Sequence, residues 1–387
     1  MNSRHLPFCI MSEAICSRFS FGIIGFALPL YALHLGMDEA MIGTLMAVHF
    51  GFEVACKPLL GRLSDRVGRK TALCLALGLR SIVALSLGVI STVAGLFAVR
   101  ALHGVSEAIR EPAMNALLIE TNARKILSAF ARYNSVRMLA GAAGKATAGY
   151  LITASNQQYL MIFILAFAIS ACSIVAIALM PPANRSPARK TSGTGAQAEN
   201  AARTGLRNQP VYAYGFLCGV SASILNLLFP VLAVKYGGLS EAEVGAIYLV
   251  GGLAVAAFTL IIEKLDGRTT DTAFLSMRAA STLCSTALYG IGSGMVPFAI
   301  GAAADEGGKL AFKAGWGSML AKVSEHEPDR RAAIASRFGV IENLAEISGP
   351  VLGGFLLASG GPVLLLGARA GISIAGELIL YFSLKKS

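Results

Sequence analysis

The feature of this sequence that most restricts its fold is a series of mostly apolar stretches, separated by short polar or glycine-rich breaks. Each stretch is about 20 residues long, which is what an α-helix needs to cross the hydrocarbon core of a bilayer. Only 14% of the 387 residues are charged, against roughly a quarter in an ordinary soluble protein. The sequence therefore predicts an all-α membrane protein with twelve transmembrane helices, over 14–35, 42–60, 71–90, 93–118, 133–152, 159–180, 211–234, 244–262, 273–291, 295–320, 334–358 and 362–384.

The first and second halves of the chain resemble each other. An alignment of the two places Pro29 against Pro230 and Gly144 against Gly349. Two similar sets of six helices are typical of transporters built from parallel repeats, which hold their solute near the membrane midplane. We predict an N-terminal bundle (1–180), a polar cytoplasmic linker (181–208) and a C-terminal bundle (209–387), the two bundles being pseudo-symmetric.

The basic residues account for the net charge of +11 and predict the orientation of the chain. They concentrate on alternate connections, in the linker and at the C-terminus, while the opposite connections hold almost none except Lys235. This positive-inside bias predicts a multi-pass protein of the cytoplasmic (inner) membrane with both termini in the cytoplasm. The lipid bilayer, and not a nucleic acid, is the predicted partner of this positive charge, and the chain is expected to be a monomer.

Motifs for enzymatic chemistry are missing from the sequence. The seven cysteines are scattered singly through apolar runs, with no CxxC pair. There is no nucleophile elbow, phosphate loop, metal-spaced histidine pair or dinucleotide fingerprint. The sequence predicts that the protein is not an enzyme and that it has no cofactor and no metal site.

One loop carries a specific motif. Residues 61–70, between the second and third predicted helices, read Gly-Arg-Leu-Ser-Asp-Arg-Val-Gly-Arg-Lys. This resembles the loop signature G-x-L-x-D-R-x-G-R-K of the major facilitator superfamily at every specified position. The resemblance implies the fold of that superfamily and alternating access to a central site, with a cytoplasmic gating loop formed by Gly61, Asp65, Arg66, Gly68, Arg69 and Lys70.

Two weaker motifs extend the resemblance. Arg100 and Gly104 match an R-x-x-x-G element that the superfamily uses in proton coupling, and 349–354 match G-P-x-x-G-G. Drug antiporters carry the latter in the fifth helix, where this chain has Lys145 in place of proline. The glycines predicted to allow close helix packing are Gly104, Gly144, Gly149, Gly349, Gly353 and Gly354.

Ionisable residues recur at intervals of three or four within the predicted helices, where charges normally face a bundle interior or a wet cavity. We predict that Glu107 pairs with Lys309 across the halves, and that this ion pair forms in some conformational states and breaks in others. Protonation of Glu107, Glu342 or Glu346 would then couple this change to transport. The alternative is that each charge pairs with a neighbour and stabilises the bundle. Arg80 has no evident partner, and the second helix repeats the spacing with His49, Glu53 and Lys57. The candidate solute and proton residues are Arg100, His103, Glu107, Arg110, Arg137, Lys145, Asp305, Lys309, Lys313, Glu342 and Glu346.

The function predicted from these features is secondary active transport of a small solute, coupled to a proton. The solute is an organic or anionic compound, or a drug-like or metabolite efflux substrate; the excess of basic residues favours an anion. The alternatives are an uncoupled facilitator and a non-transporting sensor or assembly protein of the same fold.

Overall fold

The computed structural model describes residues 5–121, 126–180, 209–265, 270–326 and 331–384, which are almost entirely helical and include no strand. The predicted linker, 181–208, lies outside these ranges. The prediction of an all-helical protein with twelve long helices is confirmed for the described part of the chain. They are α1 (His5–His34), α2 (Glu39–Val67), α3 (Arg69–Val89), α4 (Val93–Thr121), α5 (Ile126–Ala154), α6 (Tyr159–Ala178), α7 (Gln209–Asn226), α8 (Glu241–Leu265), α9 (Asp271–Ile291), α10 (Met295–His326), and α11 and α12 within Arg331–Leu384.

Two of these helices depart from regular geometry. Gly361 has φ 65° and ψ −162°, and with Pro362 after it this residue separates α11 from α12. α7 is interrupted after Asn226 and continues as the short helix Phe229–Val231 and the π-helical turn Leu232–Tyr236. Interruptions of this kind often lie at functional positions in membrane helices, because they free backbone groups from the regular ladder.

Apolarity alone would not have identified all twelve helices as membrane spans. Six described segments are long and apolar enough, or seven if the interrupted α7 is one span, and α11 and α12 count among them as a single segment. The helices that fall short are α4, α5, α9 and α10. Most of the buried charges described below lie on these four helices, which lowers their mean hydropathy.

Contacts divide the chain into two packing units. Unit 1 comprises the described residues of 1–188 together with 229–252, and unit 2 those of 189–228 and 253–387. The predicted halves, 1–180 and 209–387, rest on the internal repeat and remain a prediction. Packing places 229–252 in unit 1 because small residues on α5 and α8 let the two helices touch. A Cβ added at Gly149 would lie 2.2 Å from the Glu241 carbonyl oxygen, and one at Gly252 would lie 2.7 Å from the Ala142 Cβ.

Within unit 1, α1 lies against α5, α2 against α4, and α3 against α6. A Cβ at Gly144 would meet the Phe19 carbonyl oxygen at 2.2 Å, and one at Gly104 would meet that of His49 at 2.3 Å. Both helix pairs therefore approach more closely than any larger residue would allow.

Unit 2 uses the same kind of contact. α7 lies against the α11–α12 segment, and a Cβ at Gly353 would fall 2.1 Å from the Ile224 carbonyl oxygen. Gly349 faces Ser223, and Gly354 is buried. One end of the unit is filled by aromatic side chains, in which Trp316 and Phe338 have ring centroids 4.4 Å apart.

Candidate functional site

The centre of unit 1 is a carboxylate surrounded by arginines. Glu107 lies at the midpoint of α4, and its Oε2 accepts a hydrogen bond of 2.8 Å from Arg80 on α3. Its Oε1 lies 3.1 Å from Arg110 and 3.6 Å from Arg137 on α5. Three guanidinium groups around one buried carboxylate strongly favour its ionised form. Glu107 is therefore a poor candidate for the residue that takes up a proton.

A second acid completes this cluster. Glu13, fully buried on α1, accepts a 2.8 Å hydrogen bond from Arg110 and a 3.3 Å hydrogen bond from the Tyr133 hydroxyl. Arg80 also donates to Ser17. Arg80 thus has two partners, Glu107 and Ser17, which could not be identified from the sequence. We call Glu13, Arg18, Arg80, Glu107, Arg110, Tyr133 and Arg137 the central cluster of unit 1.

The aromatic ring of Phe21 borders this cluster. The Arg18 guanidinium lies 4.5 Å from the ring centroid and that of Arg80 lies 5.2 Å from it. The rings of His103 and His49 lie 5.4 and 5.9 Å away. Cation–π contact places the two guanidinium groups against an apolar surface without neutralising their charge.

The central cluster carries an excess of positive charge. Its four arginines face two glutamates, which leaves a net charge of +2. Arg18 is the member for which the described residues show a contact with an aromatic ring and no ion pair with a carboxylate. Since buried charge is costly unless it is compensated, the cluster is suited to bind an anion.

A separate row of polar residues runs along the contact between α2 and α4. Arg100 lies 3.1 Å from the Nδ1 of His103, and the rings of His103 and His49 are 4.7 Å apart. His49 Nε2 lies 3.7 Å from the Glu53 carboxylate. Lys57 lies 3.3 Å from Glu53 and also pairs with Glu111 on α4. The candidate residues on α4 are therefore divided: Arg100 and His103 belong to this row, and Glu107 and Arg110 to the central cluster.

Unit 2 has its own buried carboxylate. Asp305 on α10 lies 2.9 Å from Arg278 on α9 and 3.0 Å from Lys309, and pairs with Arg369 on α12. Lys309 also lies 2.7 Å from Glu306. Arg369 donates further hydrogen bonds of 3.0 and 3.1 Å to hydroxyls on α9.

Glu107 and Lys309 each have partners within their own unit, and the pair between them remains a prediction. Arg80 and Glu107 are 27 positions apart, as are Arg278 and Asp305. The two buried acids thus have the same sequence spacing from an arginine of the preceding helix. Both acids lie against an arginine of the preceding helix, which is the same arrangement in each half.

Four predicted residues lie away from these carboxylates. Lys313, Glu342 and Glu346 are exposed on unit 2. Lys145 on α5 lies 3.9 Å from the centroid of the Tyr248 ring on α8. Lys145 therefore contacts the part of unit 1 formed by 229–252. Gly149, one turn further along α5, contacts the same segment.

The predicted loop at 61–70 is mostly helical, because 61–67 form the end of α2 and 69–70 begin α3. Gly68 alone joins the two helices, and its φ of 91° favours glycine. Lys70 donates to the carbonyl oxygens of Ala178, at 2.7 Å, and Met180, which carry the negative end of the α6 dipole. Arg69 lies 3.3 Å from Glu120 at the end of α4. A Cβ added at Gly61 would lie 3.9 Å from the Pro112 Cβ, and Arg66 is exposed. The Asp65 side chain lies outside the described residues.

At the opposite ends of these helices, 229–252 is attached to α2 and α5 by polar contacts, which we call the clasp. Glu39 pairs with Lys235 and accepts a 2.9 Å hydrogen bond from Tyr236. Glu241 accepts hydrogen bonds from Thr153, at 3.2 Å, and Gln157, at 3.0 Å.

Four central residues were missed by sequence reasoning: Glu13, Arg18, Arg278 and Arg369. Arg18, Arg278 and Arg369 are charges inside predicted membrane helices, and Glu13 directly precedes one, which is the signal that could have identified them. Tyr133, a hydrogen-bond partner in the cluster, had no such signal.

Comparison with known families identifies the fold. The sequence model described as Major Facilitator Superfamily matches residues 11–307, which is more than half of the chain. The chain belongs to the Major Facilitator Superfamily. It is accordingly a multi-pass membrane protein, and its twelve helices fit the architecture of this superfamily.

Relatives within the superfamily are distant. Multidrug resistance protein 1 of Bacillus subtilis (strain 168) is 23% identical over 260 residues, or 65% of this chain. The match spans 64% of that relative's length.

Solved structures with the same fold cover the chain more completely. A mutant of the nucleoside transporter NupG has a TM-score of 0.83 at 16% identity, covering 97% of this chain and 99% of its own. Tetrameric PepTSo2 has a TM-score of 0.77 at 11% identity, covering 100% and 98%. The human organic anion transporter MFSD10 has a TM-score of 0.63 at 15% identity, covering 98% and 100%. At these identities the likeness is one of fold.

Proposed function

We propose that this superfamily member is a secondary active transporter that moves a small organic anion by alternating access and couples its movement to a proton. The observation that carries the proposal is the net charge of +2 in the central cluster of unit 1, next to the ring of Phe21. An anion with an aromatic part would compensate the guanidinium charge and pack against the ring.

The clasp supports movement between two states. It holds 229–252 to α2 and α5 through a few polar contacts that can break and form again, as alternating access requires. Lys235 is 42% exposed, so its pair with Glu39 contributes only about 1 kcal/mol or less. Contacts of this strength hold one conformation without preventing the other.

We propose that the protein is a monomer of the inner membrane, with both termini and the linker in the cytoplasm. The positive-inside bias supports this orientation. The basic loop at 61–70 lies on the proposed cytoplasmic side and the clasp on the other.

Benzenesulfonate is a suitable probe because it is aromatic and permanently anionic, and benzenesulfonamide is a neutral compound of nearly the same shape. Liposomes that contain the purified protein should exchange radiolabelled benzenesulfonate, and a pH gradient should drive its accumulation. Arg18→Gln should weaken binding about tenfold or more, which corresponds to one charge-assisted hydrogen bond. Arg132→Gln, on the exposed surface of α5, should leave binding unchanged.

The outcomes separate the possible functions. Equal competition by benzenesulfonamide, or no exchange of benzenesulfonate, would contradict the anion proposal. Exchange without any response to the pH gradient would indicate an uncoupled facilitator.

A second candidate solute class is supported by the multidrug resistance protein to which the chain is similar. Drug-like compounds should then bind, and tetraphenylphosphonium, a drug-like probe of opposite charge to benzenesulfonate, tests this directly. Binding of tetraphenylphosphonium in preference to benzenesulfonate would favour the second candidate.

A further inference from the structure

The row of residues between α2 and α4 contains a carboxylate in a different electrostatic setting from Glu107. Glu53 lies at the midpoint of α2, and its side chain is only 14% exposed. Lys57, one turn away, is the cation that it contacts, and Lys57 also pairs with Glu111. Two carboxylates thus share one ammonium group, which leaves this group of three with a net charge of −1.

The histidines beside Glu53 are fully buried and partly unsatisfied. His49 Nδ1 and His103 Nε2 have no hydrogen-bond partner among the described residues. An arginine can only donate, so Arg100 requires the Nδ1 of His103 to accept, and the proton of His103 is on Nε2. A buried donor on His103 therefore adjoins a buried acceptor on His49, at a ring separation of 4.7 Å.

The same reasoning extends from His49 to Glu53. Acceptance of the His103 proton at Nδ1 requires the proton of His49 to be on Nε2, the nitrogen that lies 3.7 Å from the Glu53 carboxylate. Neutral imidazole can donate to a carboxylate, or accept from a carboxylic acid after changing tautomer. His49 can therefore hydrogen-bond to Glu53 in both of its protonation states.

Other charged groups surround this site. α2 itself presents His49 and Lys57 on either side of Glu53. The Phe21 ring on α1 contacts the rings of both histidines on one hand and the guanidinium groups of Arg18 and Arg80 on the other. α4 presents Arg100, His103, Glu107 and Glu111, while α1 and α3 contribute Arg18 and Arg80 at the Phe21 ring. These two arginines belong to the central cluster, where Glu107 and Glu13 already bind basic partners.

We propose that Glu53 is the residue that binds the coupling proton, with His49 beside its carboxylate and His103 beside His49. One proton from water converts the Glu53 carboxylate to a carboxylic acid, and the charge of the group formed by Glu53, Lys57 and Glu111 changes from −1 to 0. This inference rests on the proposed function only in naming the proton as the coupling ion.

The proton can be detected without any solute. Infrared difference spectra of proteoliposomes, taken between about pH 5 and about pH 9, report protonated carboxyl groups through their C=O stretching band. Glu53→Gln should remove from the wild-type spectrum a band that corresponds to one carboxyl group. Glu243→Gln, which alters an acid at the start of α8 bonded to Ser240, should leave that band in place.

The charge count gives a second test with a different variant. In Glu111→Gln, Lys57 would pair with Glu53 alone, and the group would be neutral without a proton. The carboxylic acid band of Glu53 should therefore appear only at lower pH than in the wild type. This variant also carries the test if Glu53→Gln does not fold. Retention of the wild-type band in Glu53→Gln, or an unchanged titration in Glu111→Gln, would overturn the proposal.

These spectra are independent of the transport assay. Loss of the band in Glu53→Gln together with benzenesulfonate exchange that ignores the pH gradient would retain the proton site and reject proton coupling. An intact band in Glu53→Gln, together with exchange driven by the pH gradient, would reject Glu53 as the proton-binding residue and retain the proposed function.

Discussion

At the scale of single residues, two acids organise the interior of the protein. Glu107 and Asp305 each contact three basic side chains, and both are almost fully buried. Each acid compensates charges that would otherwise be left without a partner in a poorly hydrated interior. Loss of a buried partner costs more than loss of an exposed one, because water cannot replace it.

Substitution of Glu107 is therefore expected to be strongly destabilising. Glu107→Gln would leave three buried guanidinium groups without their shared carboxylate, at a cost of about 3–5 kcal/mol. Thermal unfolding of the purified protein in detergent measures the effect. Glu120→Gln removes the half-exposed pair with Arg69 and should cost about 1 kcal/mol or less. Equal losses of thermal stability in the two variants would contradict the role of Glu107 as the shared buried partner of three arginines.

At the scale of helices, close packing depends on glycine at a few positions. α1 and α5 touch through Gly144, and also through Gly22, where a Cβ would lie 2.3 Å from the Gly141 carbonyl oxygen. These contacts bring Glu13 of α1 within 3.3 Å of the Tyr133 hydroxyl on α5. The geometry of the central cluster is therefore a consequence of how closely the two helices approach.

Gly144→Ala should force α1 and α5 apart. The added methyl group would fall 2.2 Å from the Phe19 carbonyl oxygen, and overpacking of this kind costs about 1–3 kcal/mol. Gly25→Ala is the matched change in α1, where no atom lies within 4 Å of the added Cβ. It should be neutral or stabilising by up to about 1 kcal/mol, since alanine favours helix. Melting temperatures of the two variants should therefore move in opposite directions or differ clearly, and similar destabilisation by both would contradict this packing.

At the scale of the whole molecule, membership in the Major Facilitator Superfamily accounts for the helix number, and the basic residues predict the orientation. Helices too polar to be assigned as spans by composition still belong to the fold, because their charges compensate one another inside a unit. The polar interior and the membrane-spanning architecture are therefore compatible.

The predicted topology can be measured by cysteine labelling. After replacement of the seven native cysteines, Gln197→Cys in the linker and Asn156→Cys in the exposed turn between α5 and α6 should react on opposite sides of the membrane. A membrane-impermeant maleimide added to intact cells should label position 156, and position 197 only after permeabilisation. Labelling of both from the same side would contradict the orientation.

The local sequence was sufficient to predict the helices, the repeat and the superfamily. Apolar stretches of membrane-spanning length and a ten-residue loop motif are features of neighbouring residues, so they can be recognised without a structure. Gly68 illustrates this, since it is part of the motif and forms the turn between α2 and α3. The presence of buried charges could also be predicted, because their cost in an apolar helix implies a partner.

The identity of those partners required the tertiary structure. Glu107 pairs with Arg80 and Arg137, and Glu13 lies 97 positions from Arg110 in the sequence. Such pairs depend on which helix faces come together, and helical spacing within one segment does not contain that information. The sequence by itself determined that this chain crosses the membrane with charges inside it. Only the packing of separate helices decided that arginines surround Glu107 while Glu53 shares a single lysine.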